Sequence, residues 1–292
     1  MTDIAGSRRA FLAALTATLP LGAAGPSMTA NQTIEKIKAN VGIPWRTETV
    51  DKIVGGSGLV PVKGIATTMM ATLDVVQRAA AAGKNLVITH EPTFYTHLDT
   101  FEGIAKDPVA QFKAEFLKKH DMAVFRFHDH WHAMRPDGIA TGMVRALGWE
   151  KNMDPANARR FAFNALPLAQ FAKEMQTRLK IRTMRVVGDP ALPINRVAAN
   201  WGYASGDGGM RALSQPDVDL LIVGESREWE LVEYAQDQIA SGRKKALIVL
   251  GHVVSEQAGM QYCADWLKTF IADTPIEFIA AAEPFWSPDK PL

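Results

Sequence analysis

One cysteine, Cys263, occurs among 292 residues. A lone thiol closes no intramolecular disulfide and builds no cysteine-rich zinc site. It lies in residues 259–271, a stretch of helical spacing, where a small buried apolar role is expected. Charge of one sign is missing as well: 32 Lys and Arg against 31 Asp and Glu leave a net charge of +1. Nucleic acid and anionic membranes favour a basic excess, so neither is an expected partner. The chain has no dinucleotide-type glycine fingerprint and no P-loop. Gly206-Asp207-Gly208-Gly209 sits between a strand over 197–201 and a helix over 210–214. No Lys-Ser/Thr follows, so it reads as a tight turn, with close approach to a site as the minor alternative.

What is present is enough apolar material for a substantial core, 47% of the residues, in one large domain or two smaller ones. Residues 1–30 read as a twin-arginine-type signal. Ser7-Arg8-Arg9-Ala10-Phe11-Leu12 precedes a moderately apolar run over 10–24, broken by Pro20 and Gly22 and too short for a membrane span. Cleavage after Ala24 or Ala30 would leave an exported, periplasmic protein. The alternative is a cytoplasmic chain whose N-terminus happens to contain Arg-Arg.

From about residue 33, apolar strands alternate with amphipathic helices. Helices are expected over 33–41, 73–82, 108–120, 137–147, 166–179, 230–240 and 255–270. Strands are expected over 64–71, 85–89, 122–127, 160–164, 185–188, 196–200, 218–223, 245–250 and 276–279. Strand–helix–strand repetition predicts an α/β sandwich with largely parallel pairing. A small α+β segment, about 155–198, intervenes between two α/β halves of a domain spanning 31–292.

Five of the seven histidines fall in three islands, each after an apolar strand: His90-Glu91-Pro92, His128-Asp129-His130-Trp131-His132, and Gly251-His252 with Glu256 four residues on. Neutral imidazole and carboxylate are donors that Zn, Fe, Mn or Ni accept. His252 and Glu256 share one helix face at i, i+4. If the second strand continued through its island, His128, His130 and His132 would share a face. Seven or eight potential ligands exceed one tetrahedral site and suit two neighbouring metals. His120 ends a Lys-Lys-His helix terminus and reads as structural. His97 is a candidate outer-shell or substrate group.

The islands in this order resemble the Nif-three-like dinuclear metal-centre family, whose members are often labelled GTP cyclohydrolase I type 2-like. The likeness runs over about 33–285. It includes Leu73-Asp74-Val75-Val76, Gly251-His252-Val253-Val254-Ser255-Glu256, and Leu220-Leu221-Ile222-Val223 running into Gly224-Glu225, where Val223 stands in place of a Thr. The resemblance implies two related α/β halves around a two-metal site, and a homo-oligomer, commonly a hexameric toroid. Two positions depart from the family pattern. Glu91 stands where a histidine is usual, and His132 where a bridging aspartate is usual. One imidazole nitrogen cannot bridge two metals, so Glu91 or Glu256 bridges, Asp129 swings in, or one metal is held tightly.

The expectation is therefore an exported metalloprotein binding one or two divalent transition metals per subunit through His90, Glu91, His128, His132, His252 and Glu256. Glu225 and Asp129 are the candidate proton-handling residues of a metal-dependent hydrolase acting on a small molecule. The alternatives are a non-catalytic metal-binding or metal-handling protein and, lower, hydrolysis of the GTP ring.

Overall fold

The computed structural model describes residues 27–288. Residues 1–26 of the expected signal segment lie outside them. Met28 and Thr29 are already part of the fold. The Val62 amide donates to the Met28 carbonyl, and Thr29 caps the first helix through a reciprocal pair with Gln32. Among the described residues, no helix is long and apolar enough to cross a membrane.

The first half of the chain runs α1 (Ala30–Asn40), β1 (Ile53–Gly55), β2 (Ile65–Met70), α2 (Leu73–Ala81), β3 (Leu86–Glu91), α3 (Pro108–Lys119), β4 (Ala123–Arg126), α4 (Asp129–Ala133) and α5 (Gly138–Leu147). Next come β5 (Met153–Asp154), β6 (Asn157–Pro167), α6 (Leu168–Leu179), β7 (Arg185–Val187) and β8 (Pro193–Tyr203). The chain closes with α7 (Gly206–Ser214), β9 (Leu220–Glu225), α8 (Glu233–Ala240), β10 (Ala246–Val249), α9 (His252–Lys268) and β11 (Ile276–Phe278).

Two sheets form, ordered β1-β4-β3-β2-β11 and β5-β6-β8-β9-β10-β7. In the first, β2, β3, β4 and β11 run parallel and β1 is antiparallel at one edge. In the second, β8, β9 and β10 run parallel, flanked by antiparallel β6 and β7. The expected α/β architecture of two halves is the observed one. The segment 155–198 is continuous with it, because β6, β7 and β8 are strands of the second sheet.

Side-chain alternation divides β9 and β10 between two cores. Leu220, Ile222, Ala246 and Ile248 join the main core, while Leu221, Val223, Leu247 and Val249 pack with Leu213, Leu231 and Ala235 of the outer helical layer. Helix α9 packs against β2 and β11 of one sheet and β8 and β9 of the other, so it lies between them. Its crossing with α5 is close: a Cβ on Gly142 would lie 2.3 Å from the Ala258 carbonyl oxygen. Cys263, on this helix, is buried as expected, and burial pushes its thiol pKa up.

Several boundaries differ from the sequence expectation. Residues 206–209 open α7 instead of forming a separate turn, because the Ser205 hydroxyl accepts from the Gly208 amide and starts the helix early. Strand β6 runs on to Pro167, where pairing with Pro193 holds residues expected to be helical. Helix α9 starts at His252, three residues before the expected 255, because Gly251 at φ +93° turns the chain directly out of β10.

Candidate metal centre

The parallel strands set the site. His90 and Glu91 end β3, His128 follows β4, Glu225 ends β9, and His252 follows β10 as the first residue of α9. All lie at carboxyl ends of strands, where open α/β sheets leave a crevice for ligands.

The second island does not continue as a strand. It turns into α4, so His128 and His132, four apart, face the centre while His130 is carried away from it. His130 is buried, stacks on Trp45 with ring centroids 3.7 Å apart, and bonds Asp51 Oδ2 through Nδ1 at 2.7 Å. Its Nε2 accepts from the Arg46 amide. The expectation that three histidines share one face fails because the helical period, not the strand period, governs here.

All six expected ligands converge. His90 Nε2 lies 3.2 Å from His132 Nε2 and 3.7 Å from Glu256 Oε2. His132 Nε2 is 3.7 Å from Glu256 Oε1, and His128 Nε2 is 3.7 Å from Glu91 Oε1. His252 Nε2 is 3.2 Å from Glu256 Oε2 and 3.3 Å from Glu91 Oε1. Two overlapping donor groups, His90–His128–His132 and His90–Glu91–Glu256, each have ligand atoms within 4.8 Å of one another.

The four imidazoles share one orientation. Nδ1 of His90 faces the Phe127 carbonyl, that of His128 Asp129, that of His132 Asp137, and that of His252 Glu225, at 2.9–3.3 Å. Committing Nδ1–H to an oxygen leaves Nε2 free as a donor toward the centre, the arrangement that fixes metal-binding histidines. Asp129 itself faces away. Its carboxylate accepts from Thr49 and Val50 as well as His128. Although burial opposes it, these bonds hold its pKa down at about 2. Asp129 therefore orients His128 and does not swing into the centre.

Electrostatics favours a cation here. Burial lowers the His90 pKa well below the usual imidazole range, and the neighbouring His128 and His132 lower it further. Burial likewise disfavours the charged form of His252, yet bonds to Glu225, Glu256 and Glu91 overcome it and push its pKa up to about 12. Burial opposes ionisation of Glu91 too, but His252, His128 and Arg126 hold its pKa below the usual carboxylate value.

Four residues of this framework were not singled out by sequence as parts of the site. Arg126 is fully buried and donates to Glu91 Oε2 at 3.0 Å, to the His90 carbonyl at 3.2 Å and to the His97 carbonyl. A charge inside the apolar run Phe125-Arg126-Phe127 was its available signal. Asp51 accepts from the amides of His128, Asp129 and His130. It sits in a loop with no distinguishing pattern. Asp137 was legible as a helix start but not as the partner of His132. Gly202, at φ +75°, gives the site room, since a Cβ there would lie 2.3 Å from Glu256 Oε1. Of the remaining histidines, His120 packs at a tilt against Phe116 and His97 is exposed at the rim of a neighbouring cavity.

That cavity, about 390 Å³, opens onto Glu91, Glu225 and His252. The sequence profile of the family described as Duf34/NIF3 (NGG1p interacting factor 3) matches residues 27–284. A Clostridium perfringens protein named GTP cyclohydrolase 1 type 2 homolog is 23% identical over 223 residues, covering 73% of this chain and 80% of that one. The fold is similar to that of a Bacillus cereus protein related to NIF3, with TM-score 0.69 at 13% identity over 88% of this chain and 98% of the other. A Staphylococcus aureus hypothetical protein gives TM-score 0.66 at 18% identity, over 89% and 99%. At these identities the structural likeness establishes the fold alone.

Proposed function

The chain belongs to the Duf34/NIF3 family, and from that premise we propose that it is a metal-dependent hydrolase of a small organic substrate. The observation carrying this reading is the shared orientation of four imidazoles, each tied at Nδ1 and turned by Nε2 toward two buried carboxylates. The donor set fits a divalent transition metal such as Zn, Fe, Mn or Ni: nitrogen and carboxylate oxygen without thiolate. Glu256 Oε2 is buried and meets only imidazole nitrogens, His252 Nε2 at 3.2 Å and His90 Nε2 at 3.7 Å, without a well-directed hydrogen bond, a state that a cation would relieve.

His90, His128 and His132 would hold one ion, and Glu91, His252 and Glu256 the neighbouring position. With His132 at the usual bridging place, Glu256 is the carboxylate set between the groups, one oxygen toward His132 and the other toward His252. A metal there supplies the Lewis acidity that hydrolysis of an acyl or related carbon needs. Glu225, half exposed at the cavity wall, orients His252 and is placed to accept a proton from the substrate side. Export by the N-terminal twin-arginine-like motif belongs to the same proposal.

Metal analysis of untagged protein tests the centre. We expect bound transition metal in the wild type and at least a tenfold loss of affinity in the His252→Ala plus Glu256→Ala variant, in line with loss of ligands. Equal, sub-stoichiometric metal in both would sink the assignment. A hydrolytic screen over amides, lactones, phosphoesters and nucleotides then separates a hydrolase from a protein that only binds metal.

Proton linkage gives a second expected result. The raised pKa of His252 means that a metal must displace its proton, so binding strengthens as pH rises, by about tenfold per unit between pH 6 and 8 for one proton released. Competition titrations against a chelator of known affinity measure it. A pH-independent constant, after correction for the chelator's own titration, would contradict this placement of the proton.

A further inference from the structure

We infer that the cavity beside the centre takes an uncharged acyl compound, a carboxylic amide or ester with an apolar body, and not a nucleoside polyphosphate. The inference rests on the hydrolase reading of the adjoining centre and names the substrate class for it.

Most of the wall is apolar: Met70, Tyr95, Leu250, Val253 and Phe285 face the space. Its formally charged side chains besides histidine are all acidic. Glu91 is countered by Arg126. Glu283 is saturated, accepting from the Arg182 and Thr183 amides and the Thr183 hydroxyl. Glu225 has His252 as its one ion-pair partner among the described residues.

Among the described residues no Lys or Arg lines this cavity. A metal could meet the reacting group, but phosphates extending from it would lie against carboxylates and apolar side chains, and the charged imidazole of His252 is already shared by Glu91, Glu225 and Glu256. Arg182 and Arg185 line an adjoining cavity that shares Thr183, Gly251 and Phe285 with this one, but Arg182 is held by Glu283 and Arg185 by Glu228. Arg196, Arg243, Lys244 and Lys245 line a separate cavity. Glu91 and His252 border both the centre and the cavity, so an acyl group placed against this pair leaves its body along Tyr95 and Phe285. For an amide, water's oxygen adds to the acyl carbon and the carbon–nitrogen bond breaks. The proton passes through Glu225 to the departing nitrogen, giving a carboxylic acid and an amine.

Calorimetric titration of the full protein, both as purified and after chelator treatment, tests this with 4-phenylbutyramide, butyramide and GTP. Neither amide depends on a metal for the contacts in question. We expect the phenyl compound to bind at least about tenfold tighter than butyramide in both preparations, as burial of one ring predicts. Phe285→Ala should cut that gain to about threefold or less, and GTP should bind more weakly than the phenyl compound. Equal amide affinities, undetectable binding of both, an unchanged gain in the variant, or tighter binding of GTP would each overturn the inference. Metal content of the same samples reports separately on the centre, so failure of one reading is distinguishable from failure of the other.

Discussion

Replacing Arg126 by methionine should destabilise the protein by about 3–5 kcal/mol, the usual cost of removing one partner of a buried ion pair. The guanidinium is fully buried and ties Glu91 to the carbonyls of His90 and His97, joining the end of β3 to the loop beyond it. Without it, Glu91 keeps a buried charge with less compensation, and two carbonyls lose their donor. Denaturant midpoints measure the loss. A second substitution isolates its cause: Glu91→Gln in the Arg126→Met background should recover about 1–2 kcal/mol by removing the stranded charge. If the double variant is as unstable as the sum of the two single ones, the pair is not the source of the cost. Metal affinity should fall in the Arg126→Met variant too, because the guanidinium holds one Glu91 oxygen and so directs the other toward His252 and His128.

The second large effect is expected at Asp51. Its carboxylate accepts four hydrogen bonds at 2.7–2.9 Å, three from consecutive amides at the start of α4 and one from the His130 ring. Asp51→Ala would orphan those donors in a buried site, at about 1–3 kcal/mol for each group left unpaired. Water entering the space will meet part of that need, so we expect a net loss of about 3–4 kcal/mol, or roughly 6–15 °C in Tm for a domain of this size. Because α4 carries His132 and is preceded by His128, bound metal should fall in parallel. Asp51→Asn keeps one carbonyl acceptor and should lie between the two. A Tm within about 2 °C of wild type for Asp51→Ala would show that α4 stands without this anchor.

Both residues show where sequence reading ends. The three histidine islands were legible because each comes after an apolar strand, and parallel α/β sheets gather the residues at their strands' carboxyl ends along one edge. That rule accounts for the proximity of His90, Glu91, His128, His132, His252 and Glu256. The same rule could not separate His130 from its neighbours, because five residues of Asp-His-Trp-His-Ala carry no decisive period. What turned them into a helix was Asp51, 77 positions before His128, accepting their amides. The surroundings of Asp129, a candidate proton-handling residue, were hidden for a related reason. Nothing near it in the chain reports that Thr49, Val50 and His128 occupy its oxygens.

The amino-acid order by itself determined the strand–helix alternation, the α/β class and the set of side chains with metal-ligand chemistry, because these arise from local periodicity and residue type. Tertiary structure alone decided which nitrogen of each histidine faces inward, which carboxylate lies between the donor groups, and which acids are spent as orienting partners. Those are matters of distance between segments far apart in the chain. Glu91 and His132, the two positions read as departing from the family pattern, illustrate both. Their identities are plain in the sequence, but only the buried Arg126 and the room left by Gly202 explain how Glu91 is tolerated and why Glu256 sits between the two groups.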